Sequence, residues 1–174
     1  MNGLRLRRVS VRSRTGGSPF RVLFASDLHL GLPWTRSSAR DLVAAVYERR
    51  PEVVLLGGDL VDGAYGIAAL RSCVAELVRT APVLAVPGNH DVFAGVARVR
   101  AAVLAGGGAW LPDGDVRFRR AEGPDIRIFG TNDGAPADLP PPPVHGREPE
   151  VALLCSHRPA IAAEVSSAAW PRTG

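Results

Sequence analysis

Four short apolar runs recur along the chain, and each breaks at a group able to bind a cation. Residues 20–25 lead into Asp27-Leu28-His29, and residues 53–56 into Gly57-Gly58-Asp59. Residues 81–86 lead through Pro87-Gly88 into Asn89-His90-Asp91, and residues 151–155 through Ser156 into His157. A short, wholly apolar run predicts a strand buried on both faces. Between the first three runs the period changes. Leu42, Val43, Val46 and Tyr47 share one face of a helix that the capping-box pair Ser38 and Asp41 opens and Pro51 stops, near Arg50. Ile67, Leu70, Val74, Leu77 and Val78 predict a second helix over 66–79, and a third over 93–104 ends at Gly106-Gly107-Gly108. Strand and helix in alternation predict a parallel sheet wrapped by helices.

The pattern then changes. Residues 109–111, 115–119 and 125–129 are short, closely spaced and separated by Gly, Pro and Asp, which predicts antiparallel strands of a second sheet. At the other end, residues 4–12 alternate between apolar residues and Arg as an edge strand would, and 15–19 form a turn. Residues 140–143 are consecutive prolines, a stiff connector, and 158–165 read as a short helix. The fold class is α/β, with a second, smaller sheet.

Composition narrows the function classes. A chain of 174 residues suits one domain, and 46% hydrophobic with 22% charged residues excludes a disordered segment. The net charge is +4, and all 21 basic residues are Arg. A phosphate-rich partner, nucleic acid or an anionic membrane surface, is one reading of that excess. Because the excess is small and all Arg, it reads instead as a solvated basic surface, and nucleic-acid binding also lacks aromatic platforms interleaved with the basic residues. Cys73 and Cys155 lack metal-type spacing and are expected as buried free thiols. No stretch reaches the about 20 apolar residues of a membrane span, and no apolar core follows the Arg-rich start, so a cytoplasmic location is expected.

Taken singly, an Asp or Asn at a strand end is more often a turn or cap residue, and a His in a loop a solvated side chain. Coincidence at successive strand ends is the less economical account. Asp27, His29, Asp59, Asn89 and His157 offer carboxylate, imidazole and amide donors, a mixed shell that suits manganese, iron or zinc. Converging carboxylates repel unless cations neutralise them, and a pair of divalent cations sharing a carboxylate would do so. His90, from the loop that carries Asn89, is placed to protonate a leaving oxygen, with Asp91 to orient it. Asp41, Asp62 and Asp133 keep turn or cap readings, and His145 reads as exposed in a Pro-rich loop. Specificity is expected from the loops around Trp34, Tyr65 and Phe93.

Asp27-Leu28-His29-Leu30-Gly31, Gly58-Asp59-Leu60-Val61-Asp62-Gly63, Gly88-Asn89-His90-Asp91 and Ser156-His157-Arg158-Pro159 resemble, in order, the motifs of calcineurin-like metallophosphoesterases. The resemblance implies a β-sandwich flanked by helices and hydrolysis of a phosphomonoester or phosphodiester, small-molecule or nucleotide in type. It implies two divalent metals, the first on Asp27 and His29, the second on Asn89 and His157, with Asp59 bridging. His90 would stabilise the transition state or act as general acid, partnered by Asp91. The family pattern continues into a further strand and a Gly-His-x-His loop, each His supplying one more ligand, and residues up to 174 do not contain it. A single domain over 1–174, truncated after the fourth motif and with an incomplete second sheet, is therefore expected. A remnant that binds metal or phosphate without efficient turnover is the alternative.

Overall fold

The computed structural model describes residues 7–11, 17–132 and 150–161. The elements run β1 (Val22–Ala25), α1 (Arg36–Arg49), β2 (Val53–Gly57), α2 (Ile67–Leu77), β3 (Val83–Val86), α3 (Asn89–Ala94), α4 (Val96–Ala105), β4 (Ala109–Trp110), β5 (Val116–Phe118), β6 (Asp125–Gly130) and β7 (Glu150–Cys155). Strands β1 to β4 form one parallel sheet in sequence order. Strands β5, β6 and β7 form the second, with β5 antiparallel and β7 parallel to β6.

Strands β2 and β3 are covered on both faces, which is why they lack polar alternation. Strand β1, an edge strand, leaves Val22 and Phe24 exposed and is not buried on both faces as its apolar run suggests. Val54, Leu56, Val83 and Ala85 join Leu42, Val46, Leu70, Val74, Val99 and Val103 of the helices in one core. Their neighbours Val53, Leu55, Leu84 and Val86 face Leu111, Ile126, Ile128 and Cys155 in a second core between the sheets. Cys73 and Cys155 are buried free thiols, as expected, and burial pushes them up to about 11 and about 12.

Several sequence expectations are corrected. Residues 109–110 do not enter the second sheet. They pair in parallel with β3, Leu84 with Ala109 and Ala85 with Trp110, because α4 completes another strand–helix–strand unit. The helix expected over 93–104 is two helices, since Gly95 sits at φ 89° between α3 and α4 and breaks the hydrogen-bond ladder. Helix α1 opens earlier than the Ser38–Asp41 pair suggested. Its N-cap is Thr35, whose hydroxyl donates to the Leu32 carbonyl, and Asp41 lies within the helix. The helix does stop before Pro51, with Arg50 in the left-handed region. Residues 7–11 form no strand. Strand β7 is only half-buried along most of its length because it is an edge of its sheet in the described residues. Residues 1–6, 140–143, Asp133, His145 and 162–165, half of the short helix expected over 158–165, lie outside the described residues.

Candidate metal centre

The parallel ladder of β1 and β2 continues beyond both strands. The N–H of Asp27 donates to Gly58 O at 3.0 Å, that of His29 to Asp59 O at 3.0 Å, and that of Leu30 to Leu60 O at 2.8 Å. This course holds Asp27, His29 and Asp59 at φ 57°, 44° and 52°. Left-handed backbone at a non-glycine residue costs of order 1–3 kcal/mol, and such residues collect at functional sites. The surroundings hold it in place: Leu28, Leu30, Leu60 and Val61 are all buried and anchor the two loops from beneath. Apolar side chains point into the core, and the polar residues between them are left at the sheet edge. The third loop arrives because Gly88 has no side chain: a Cβ there would lie 2.2 Å from the Asp59 amide nitrogen and from Oδ1.

Asn89, His90 and Asp91 form the first turn of α3 and not a loop. Asp91 is wholly buried and turns away from His90. Its carboxylate accepts the N–H groups of Leu60 (3.0 Å), Val61 (3.0 Å) and Gly88 (2.8 Å), so it ties the Asp59 loop to the start of α3. Burial pushes this carboxyl above the usual carboxylate range, and the three N–H bonds pull it part of the way back.

The remaining sequence-predicted residues converge on Asp59, which is 4% exposed. Asp59 Oδ1 accepts the His90 backbone N–H at 2.9 Å. Its Oδ2 stands 3.5 Å from His157 Nε2, 3.9 Å from His29 Nε2 and 4.0 Å from His90 Nε2. Two overlapping groups result, His29 with Asp59 and His90, and Asp27 with Asp59 and His157, each with its donor atoms within 4.8 Å of one another. Asp27 is thus grouped with His157, where the sequence motifs paired it with His29.

The donor chemistry fits cations. His157 Nδ1–H donates to Gly57 O at 2.9 Å, which in the neutral ring leaves a lone pair on Nε2. That lone pair faces Asn89 Oδ1 at 3.1 Å. With the ring neutral, two lone pairs oppose each other unless the amide is turned or a cation takes both; a doubly protonated ring would instead donate Nε2–H to the amide oxygen. Donors at right angles on one cation, each about 2.1 Å away, stand about 3 Å apart.

Asp62 is the residue that sequence reasoning left as a turn. Its Oδ1 accepts Nδ1–H from His29 at 2.6 Å and from His90 at 2.9 Å. Both rings therefore present Nε2 to Asp59, and they meet edge to face at 4.8 Å. Asp62, and not Asp91, orients His90. The signal available in the sequence was its spacing, three residues beyond Asp59 in a glycine-bounded loop. Asp62→Ala frees both rings, and metal affinity is expected to fall about 10–100-fold, read by calorimetric titration.

Comparison with known proteins supports the same chemistry. The family model for calcineurin-like phosphoesterase matches residues 20–159. The phosphodiesterase YaeI of Escherichia coli is 35% identical over 80 residues, covering 45% of this chain and 30% of that protein. A Danio rerio transmembrane protein with a metallophosphoesterase domain is 37% identical over 76 residues, covering 42% of this chain and 17% of the relative. The chain thus matches under a third of the length of these relatives. Among solved structures, TT1561 of Thermus thermophilus superposes with a TM-score of 0.50 at 16% identity, over 77% of this chain and 57% of that one, which speaks to the fold. With most of its length matched by the family model, and the family's motifs meeting around Asp59, the chain belongs to the calcineurin-like phosphoesterases.

Proposed function

We propose that this chain hydrolyses phosphate esters at a pair of divalent cations, manganese, iron or zinc, that share the Asp59 carboxylate. The observation that carries the reading is the convergence of two three-donor groups on that one buried carboxylate. Asp27, His29, Asp59, Asn89 and His157 would hold the cations. Bound there, the cations would neutralise phosphoryl charge and make a water acidic enough to attack at neutral pH. The chain's own part is positioning. Asp62 holds His29 and His90 in one tautomer, and the β1–β2 ladder fixes Asp27, His29 and Asp59 before any substrate arrives.

His90 gives the leaving oxygen its proton. Its Nδ1 is committed to Asp62, its Nε2 faces the centre, and its side chain is 44% exposed, open to a substrate. The Asp62 carboxylate stabilises the imidazolium from which that proton leaves. The substrate class is a phosphomonoester or phosphodiester, small-molecule or nucleotide in type. The similarity to a phosphodiesterase favours the diester.

The test is metal analysis of the purified chain together with turnover of chromogenic phosphate mono- and diesters. Metal above trace and manganese-stimulated hydrolysis are expected. No metal and no turnover would defeat the reading. His90→Asn is expected to lower kcat about 10²–10⁴-fold on esters with poor leaving groups, less on activated ones, at unchanged metal content. Loss of metal along with turnover would make His90 a ligand instead.

A further inference from the structure

Three aromatic rings protrude at the ligand-bearing end of the first sheet, one beyond each of its first three strands. Trp34 follows His29 by five residues, Tyr65 follows Asp62 by three, and Phe93 follows His90 by three. Their exposures are 66%, 60% and 81%, and Val92 beside Phe93 is 55% exposed. Phe93 and Tyr65 stand at the rim of the centre, and Trp34 lies in the turn Pro33–Thr35 that leads from the His29 loop into α1. The Phe93 ring meets the His90 ring edge-on at 6.2 Å. The Tyr65 ring lies against Gly31 and Gly63, on the loops that carry His29 and Asp62. Elsewhere among the described residues, Tyr47, 66% exposed, lies under the Arg50 guanidinium, and Phe24, 54% exposed, packs over Gly57.

Single exposed apolar residues are ordinary, but a ring of them around a polar centre marks a contact surface. The degree of exposure indicates which kind. Rings that wall a pocket for a flat ligand are largely covered, whereas these stand clear of the surface. Trp and Tyr, with an apolar body and a polar tip, suit a membrane headgroup layer, and Phe and Val suit the acyl boundary beneath it. Exposed Arg36 and Arg98, two and five residues beyond Trp34 and Phe93, open the first turns of α1 and α4 and add positive charge to an end that also carries the Asp27, Asp59 and Asp62 carboxylates. Guanidinium groups grip phosphate and are drawn to anionic lipid. No helix among the described residues is long and apolar enough to cross a membrane.

We infer that the metal-centre end of this chain seats on the surface of an anionic phospholipid bilayer. Trp34, Tyr65, Val92 and Phe93 enter the headgroup boundary, and the phosphoester presented to the centre is carried on a lipid. The substrate half of this inference rests on the phosphoesterase reading; the membrane contact does not.

The experiment is co-sedimentation with mixed phosphatidylcholine–phosphatidylglycerol vesicles, read without turnover. The native chain is expected to partition onto them, and a Trp34→Ala/Phe93→Ala variant to partition at least about tenfold more weakly. Brominated acyl chains should quench Trp fluorescence in the native chain and much less in Trp34→Phe. Absence of partition overturns the inference. So does partition that survives ring removal and vanishes only in salt, which is a purely electrostatic contact. Turnover of a soluble ester without vesicle binding removes this inference alone. Vesicle binding by a chain that hydrolyses no ester upholds the surface and removes the phosphoesterase reading alone.

Discussion

Asp59→Asn is expected to lower phosphoester turnover by about 10³-fold or more, beyond the 10–100-fold typical of a supporting partner. Both three-donor groups contain this carboxylate, so one substitution weakens both cation positions. Asparagine preserves the shape and the acceptor for the His90 backbone N–H, which now meets Asp59 Oδ1 at 2.9 Å. It places an NH₂ group where Oδ2 stands 3.5 Å from His157 Nε2, so that a donor replaces an anionic ligand. The fold should not suffer. Asn tolerates left-handed backbone better than most residues, and φ here is 52°. The change also removes a negative charge from a site that holds Asp27, Asp62 and Asp91. Without metal, the variant should melt at or above the native temperature, while the native rise in melting temperature with added manganese disappears. Elemental analysis, melting curves with and without metal, and steady-state rates check this. Native turnover with a native metal complement would show that Asp59 bridges nothing.

The inner strands β2 and β3 could be read from the sequence because they are buried on both faces, whereas β1, at the edge of the sheet, leaves Val22 and Phe24 exposed. A continuous apolar run as short as 53–56, closed by glycines, is too brief for a helix and fits a buried strand. Failures occurred where local signals competed. Ala109 and Trp110 carry no mark of which sheet they join; the length of α4 and the tight packing of Gly106 against Arg71 O and Val74 decide it. Gly95 was hidden inside a helical period that continues on either side of it. Ser38 and Asp41 make a valid capping pattern, but the turn at Pro33–Thr35 starts the helix first.

The candidate site was legible in membership and less so in wiring. Asp27, His29, Asp59, Asn89 and His157 could be picked from the ends of apolar runs, because chain topology brings those ends together. The roles of Asp62 and Asp91 were exchanged. Sequence adjacency suggested that Asp91 serves His90, but a helical first turn directs neighbouring side chains apart. Asp91 therefore enters the core, while Asp62 comes across from the β2 loop to reach both rings.

That exchange sets the second large effect. Asp91→Ala is expected to destabilise the fold by about 3–5 kcal/mol, a large share of the roughly 5–15 kcal/mol that holds a domain of this size. The carboxylate is fully buried, and its loss strands the N–H groups of Leu60, Val61 and Gly88, each costing about 1–3 kcal/mol with partial relaxation. Asp91→Asn keeps one acceptor oxygen but turns an NH₂ group toward backbone donors, so it should cost about 2 kcal/mol. Denaturant midpoints at unchanged m-value measure both. If Asp91 instead acted by orienting His90, stability would barely move and the pH–rate profile would shift. A loss below about 1 kcal/mol for Asp91→Ala, with a displaced acidic limb, would restore that role. A large loss of stability, with the residual activity keeping its native pH profile, identifies Asp91 as the tie that holds the Asp59 loop against α3.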